Sequence, residues 1–172
     1  LREKEDESEM LKLGLRIAAL IFILDQASKW LLLNVVDMPG RGIVPLTDFF
    51  NLRMVWNRGV SFGMFSADTA TGRYALIFFA LAVVVFLVVW LARAHNRILA
   101  VAIGLVIGGA VGNVLDRAVY GAVADFFDFH AWGYHFYTFN IADAGISLGV
   151  VLLIYESIFI SGSAAREAEN GI

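Results

Sequence analysis

Two aspartates, Asp125 and Asp143, and the polar residues around them carry the chemistry that this sequence could do. One apolar segment ends in GNVLDR, which puts Asn113, Asp116 and Arg117 at i, i+3 and i+4 on one helical face. VADFF follows with Asp125, and the next apolar segment opens with FNIADAGIS, where Asn140, Asp143 and Ser147 fall on one stripe. The first of these segments leaves the membrane on the side where the second begins, so the two acids can meet there. Two carboxylates in a shared, poorly hydrated site do not both ionise easily, and one keeps its proton. That is the arrangement of an aspartic protease, in which one member takes a proton from water and the other polarises the scissile carbonyl. Spacing alone leaves a structural or ion-pathway role standing beside this reading.

A second pair, Asp25 and Lys29, lies four residues apart inside another apolar segment. It reads as a self-neutralising pair packed against the other spans, because a lone charge at a helix centre in the bilayer costs at least about 2.5–3.5 kcal/mol. Asp116 is expected to take Arg117 as its partner. Other chemistries fit less well. GISLG around Ser147 matches a nucleophile elbow, but that motif needs a strand-to-helix turn and here lies within a helix. Asp128, His130 and His135 lack the spacing of a zinc motif, so no metal is expected. With no cysteines there is no thiolate chemistry, and a net charge of −3 gives no footprint for nucleic acid.

The elements that must position these groups are apolar. Of 172 residues, 59% are hydrophobic and 17% charged, and the mean hydropathy is +0.73, a composition on the membrane side of soluble domains. Four segments are long enough to span: 15–36, 74–92, 98–119 and 139–160. The fold class is therefore mainly α, a membrane protein of four transmembrane helices in a single domain covering 1–172. Residues 1–14 begin with LREKEDESEM and read as a polar, solvated arm. The apolar run behind it holds Asp25 and Lys29 and has no small-residue cleavage site, which argues against a signal peptide. Arg2, Lys4, Lys12, Arg16, Arg93, Arg97 and Arg166 flank one side, and Arg41, Arg53, Arg58, Arg73 and Arg117 the other. This bias leans toward cytoplasmic termini.

Between the first two spans, IVPLTDFFNLRMVWNRGVSFGMF mixes β-branched and aromatic residues with Pro and Gly, as a small extracytoplasmic β element would. Residues 126–139 read FFDFHAWGYHFYTF, an interfacial aromatic loop that anchors the chain or covers a site. Gly104, Gly108 and Gly112 recur at four-residue spacing, which lets a neighbouring helix approach closely.

Taken in order, DQASK at 25–29, WNRGVSFGMF at 56–65, GGAVGNVLDR at 108–117, VADFFDF at 123–129 and FNIADAGIS at 139–147 resemble the bacterial lipoprotein signal peptidases, or signal peptidase II. The resemblance implies an aspartic-type endopeptidase of the cytoplasmic (inner) membrane. It would remove the signal peptide from diacylglyceryl-modified prolipoproteins, just before the lipid-bearing Cys. It implies Asp125 and Asp143 as the catalytic pair. Asn57, Asn113, Arg117 and Asn140 would bind substrate or orient the pair, while Asp25, Lys29 and Asp116 would be structural. The partners implied are the lipidated precursor and membrane lipids, with no cofactor and a monomeric state. Two other readings of the residues are a small proton-coupled transporter or channel, using Asp25, Lys29, Asp116 and Asp143 as a relay, and an assembly subunit packed through the glycine stripe.

Overall fold

The structure, a computed structural model, describes residues 2–59 and 69–161. The second half of the WNRGVSFGMF motif, including Val60, and the tail with Arg166 lie outside the described residues. Helix α1 runs Arg2–Trp30 and widens into a π-helical turn at Leu31–Val35. A short α2 (Met38–Arg41) and strands β1 (Ile43–Thr47) and β2 (Phe50–Asn57) follow. Then come α3 (Ala70–Leu91), α4 (Arg97–Tyr120), β3 (Val123–Ala131), β4 (Tyr134–His135) and α5 (Ile141–Tyr155), the last continued by a π-helical segment at Glu156–Ser161.

Side chains at the helix starts fix where each helix begins. Thr69 accepts from Gly72 N at 3.1 Å at the head of α3, and Asn96 from Leu99 N at 2.8 Å at the head of α4. Gly121, with φ 79°, closes α4 in the left-handed conformation that a helix end favours. Among the described residues, three helices are long and apolar enough to cross a membrane: Ala70–Leu91, Arg97–Tyr120 and Ile141–Ile160. They agree closely with three of the expected spans. The apolar stretch of α1 carries Arg16, Asp25 and Lys29, and α1 falls outside that set. Residues 2–14, expected as a solvated arm, are its opening turns. Positions 5–9 are exposed as expected, but the backbone is helical.

Helix α4 is the hub. It packs on α1, α3 and α5, and about two-thirds of its apolar stretch is buried, against 11% for α3. The glycine stripe makes this approach possible. A Cβ on Gly104 would fall on the carbonyl oxygen of Gly14, one on Gly108 on that of Ala18, and one on Gly109 on that of Ala142. Phe78, Phe79, Val85 and Phe86 of α3 face outward, an apolar surface suited to lipid.

The four strands form one antiparallel sheet in the order β1-β2-β3-β4. The β1–β2 hairpin answers the expected β element. The aromatic loop expected at 126–139 is corrected: its first part is strand β3, paired with β2 from Asn57↔Val123 to Phe50↔Phe129. The reason is long-range: β3 pairs with β2 and both faces of its first half are covered, so Val123 and Asp125 are buried along with the residues between and after them. Ala124, Phe126 and Asp128 are buried, while Phe129 lies 4.7 Å from Phe50 and 6.0 Å from Phe139, ring centre to ring centre. Trp132, Tyr134, Phe136 and Tyr137 beyond the strand remain exposed, as an interfacial belt requires.

Replacing Gly109 by Ala should push α5 off α4 and cost about 1–3 kcal/mol by overpacking. The expected outcome is a lower melting temperature in detergent than wild type, with Ala82→Val on the exposed side of α3 unchanged.

Candidate active site

Beneath the site lies a buried ion cluster. Lys29 Nζ sits 2.7 Å from Asp25 Oδ2 and 2.8 Å from Asp116 Oδ2, and all three side chains are at most 2% exposed. Gln26 donates to Asp25 and Asp116 at 3.1 Å each. The expected Asp25–Lys29 pair is present, but Lys29 also takes Asp116, so the pairing of Asp116 with Arg117 is corrected. The Arg117 Nη1 instead donates to the Asn113 carbonyl at 3.4 Å, and its buried Nε has no hydrogen-bond partner among the described residues. Gly112 leaves room for the Asp25 carboxylate, whose Oδ2 would lie 2.5 Å from an added Cβ.

The cluster reaches the two candidate acids through the backbone. Asp116 Oδ2 accepts from Ala124 N at 3.1 Å, and Asp25 Oδ1 accepts from Ala142 N at 2.9 Å. Ala124 directly precedes Asp125, and Ala142 directly precedes Asp143. One lysine therefore ties α1 and α4 together, and its two carboxylates grip the chain one residue before each acid.

Asp125 lies on β3 and is 1% exposed. Its Oδ1 accepts from Asn140 Nδ2 at 2.7 Å and its Oδ2 from Asn57 Nδ2 at 3.1 Å. Asp143 lies in the first turn of α5, where its Oδ1 accepts from Asn113 Nδ2 at 2.9 Å. Asn140 caps α5 reciprocally: its Oδ1 accepts from Asp143 N at 2.8 Å, and its own N–H donates to Asp143 Oδ2 at 3.3 Å. Its side-chain amide also donates to Asn113 Oδ1 at 3.3 Å. Asn57, Asn113 and Asn140 thus join the two acids in one network. Arg117 stands within electrostatic reach of both acids.

Burial, and next the negative charge of Asp143, push the Asp125 carboxyl up to about 7, while hydrogen bonds from Asn57 and Asn140 pull the other way. A carboxyl at that value is half-protonated near neutral pH. Beside it Asp143 is only partly buried and lines a cavity of about 520 Å³ with Asn57, Tyr137, Phe139, Ala144 and Ser147. A buried acid raised to about 7, a second facing open space, and amides that fix both are the parts needed for general acid–base attack of water on a carbonyl.

The profile of the family described as signal peptidase (SPase) II matches residues 17–159. The chain belongs to the signal peptidase II family. It is 48% identical over 160 residues to the lipoprotein signal peptidase of Methylobacterium sp. (strain 4-46), covering 92% of this chain and 97% of that one. It is 42% identical over 151 residues to that of Rhodopseudomonas palustris (strain TIE-1), covering 86% and 92%. Among solved structures, a bacterial membrane enzyme determined by the in meso method at 1.9 Å matches with a TM-score of 0.73 and 28% identity, covering 86% of this chain and 93% of that one. The signal peptidase II reading drawn from the motifs is borne out at the level of the family.

Three contributors escaped the sequence reading. Tyr137 accepts from Asn57 Nδ2 at 3.0 Å and lines the cavity. Gln26 stands beside Asp25 on its helix, where neighbours point apart, so spacing gave it no partner. Asp128 is fully buried and bonds His135 Nδ1 at 2.8 Å, which pins β3 to β4. Ser147 lies within α5 as expected, lining the cavity. At the opposite end, buried Glu156 accepts from Asn96 Nδ2 at 2.8 Å and lies 3.4 Å from His95 Nε2.

Lys29→Met should strand two buried carboxylates and cost about 3–5 kcal/mol. The expected outcome is sharply reduced folded protein in detergent extracts, with Asp25→Asn restoring part of it in the double variant. Normal yield and melting temperature for Lys29→Met would contradict the role given to the cluster.

Proposed function

We propose that this signal peptidase II family member is an intramembrane aspartic endopeptidase that cleaves diacylglyceryl-modified prolipoproteins before the lipid-bearing Cys, with Asp125 and Asp143 as its catalytic pair. The observation that carries this is the amide-linked pair: a buried acid raised to about 7 beside one that faces the cavity. The ionised member takes a proton from a water molecule, whose oxygen attacks the scissile carbonyl. The protonated member donates a hydrogen bond to the carbonyl oxygen as negative charge develops there. As the tetrahedral intermediate collapses, a proton passes to the leaving amine and the pair returns to its singly protonated state. Both proton functions come from the pair, so the reading calls for no cofactor. Asn140 and Asn113 hold the two acids in register, and Asn57 and Arg117 bind substrate backbone or stabilise charge beside them.

In this reading α1 is the fourth span, its buried ions neutralised within the bundle, and the whole chain is one membrane domain that works as a monomer. Both termini are cytoplasmic, in line with the Lys and Arg bias, and the sheet lies at the outer face. Asp143, one turn into α5, then sits near the outer leaflet, roughly 5 Å below the helix start. The exposed apolar faces of α3 and α5 contact membrane lipids, and the acyl chains of the substrate reach the cavity laterally between spans.

The test is release of signal peptide from a lipidated precursor by purified protein. Asp125→Asn and Asp143→Asn should each reduce turnover about a thousandfold or more, and the double variant should be scarcely worse, because residues that act as a unit are non-additive. Asp48→Asn, on an exposed turn, serves as control, since buried Asp128 is bonded to His135 and unsuited to that purpose. Near-normal turnover in either variant of the pair would sink the assignment.

A further inference from the structure

A second cavity, of about 440 Å³, adjoins the first on the sheet side. Asn57 and Tyr137 line both, so their 3.0 Å hydrogen bond forms the sill between them. Beyond the sill the second cavity is lined by Val55 and Arg53 of β2 and by His135, Phe136 and Thr138. Its chemistry differs from that of the first. Arg53 is half-buried, and its side chain makes no hydrogen bond or ion pair with any described residue. No carboxylate lines the cavity among the described residues, since Asp128 stands behind His135 and is bonded to it. The result is an uncompensated guanidinium facing open space, a group built to meet a carboxylate.

Its position sets which part of a substrate it meets. Arg53, Val55 and Asn57 follow one another at every second position of β2 and line the same cavity. Arg53 lies at most about 13 Å from Asn57 by strand rise, the strand being irregular between Leu52 and Val55. Asn57 itself bonds Asp125. An apolar signal segment belongs on the side of the mainly apolar cavity against α5, so the chain on the other side of the scissile bond runs over the sill toward Arg53. An extended chain covers that distance in about four residues.

We propose that Arg53 is a specificity-determining residue that binds an acidic side chain within the first few residues after the lipid-bearing Cys. This rests on the reading of Asp125 and Asp143 as the catalytic pair. The test uses lipidated precursors that differ only at the third and fourth positions after that Cys: two Asp, two Asn or two Lys. The wild-type protein should favour Asp over Lys by about tenfold in kcat/KM, expressed mainly in KM. Arg53→Gln should erase the preference and Arg53→Glu should reverse it, at unchanged melting temperature. A preference that is absent in wild type, or that survives in Arg53→Gln, would overturn the proposal. Cleavage of the Asn precursor by wild type tests the protease reading separately. If that precursor is not cut at the lipidated Cys, the catalytic assignment falls, and this proposal with it.

Discussion

The site depends on one buried cation shared between two buried anions. Lys29 contacts Asp25 on its own helix and Asp116 on α4. Neither acid is spent on the lysine alone, because each also accepts a backbone N–H from the residue just before a candidate catalytic aspartate. Burying charge is justified only when every oxygen finds a donor, and Gln26 supplies much of the rest. A cluster satisfied in this way has a single low-energy arrangement. That property transmits to the chain at Ala124 and Ala142, and through it to the spacing of Asp125 and Asp143.

Packing and capping then complete what the cluster begins. The stripe of glycines brings α4 against α1 and α5 closely enough for short polar contacts to form between helices. The first turn of α5 is fixed twice, by the capping box of Asn140 and by the grip of Asp25 on Ala142. Asn140 is at once a helix cap and the amide that bonds Asp125. Stability and chemistry are therefore coupled at this residue, and a loss of activity on its replacement has two physical sources.

The sequence was legible wherever the pattern was local. Long apolar runs gave the helices, and i, i+3 and i+4 spacing gathered Asn113, Asp116 and Arg117 on one face. Charge in an apolar setting marked Asp25 and Lys29. Long-range pairing was not legible. The local rule gave Asp116 to Arg117, its sequence neighbour, whereas the structure gives it to Lys29, which arrives from another helix with a second carboxylate to share. Strand β3 was hidden because its aromatic density resembles an interfacial loop and both faces of its first half are buried, so no period of two marks it until β2 lies alongside. Tyr137 could not be singled out among eight aromatic residues in fourteen without the Asn57 that it meets across the sheet.

The central claim is that Asp125 and Asp143 work as one unit holding one proton, and the pH profile of kcat/KM tests it most directly. The substrate should be a lipidated precursor without titratable groups near the scissile bond. With the Asp125 carboxyl raised to about 7, activity should fall as pH rises through that region and the shared proton is lost. It should fall again in acid, where both carboxyls are protonated and none can accept the proton of water. A bell with its alkaline limb near neutrality is the predicted result. A rate that stays flat from acid to well above neutral pH in correctly folded protein would contradict a shared proton and the mechanism built on it.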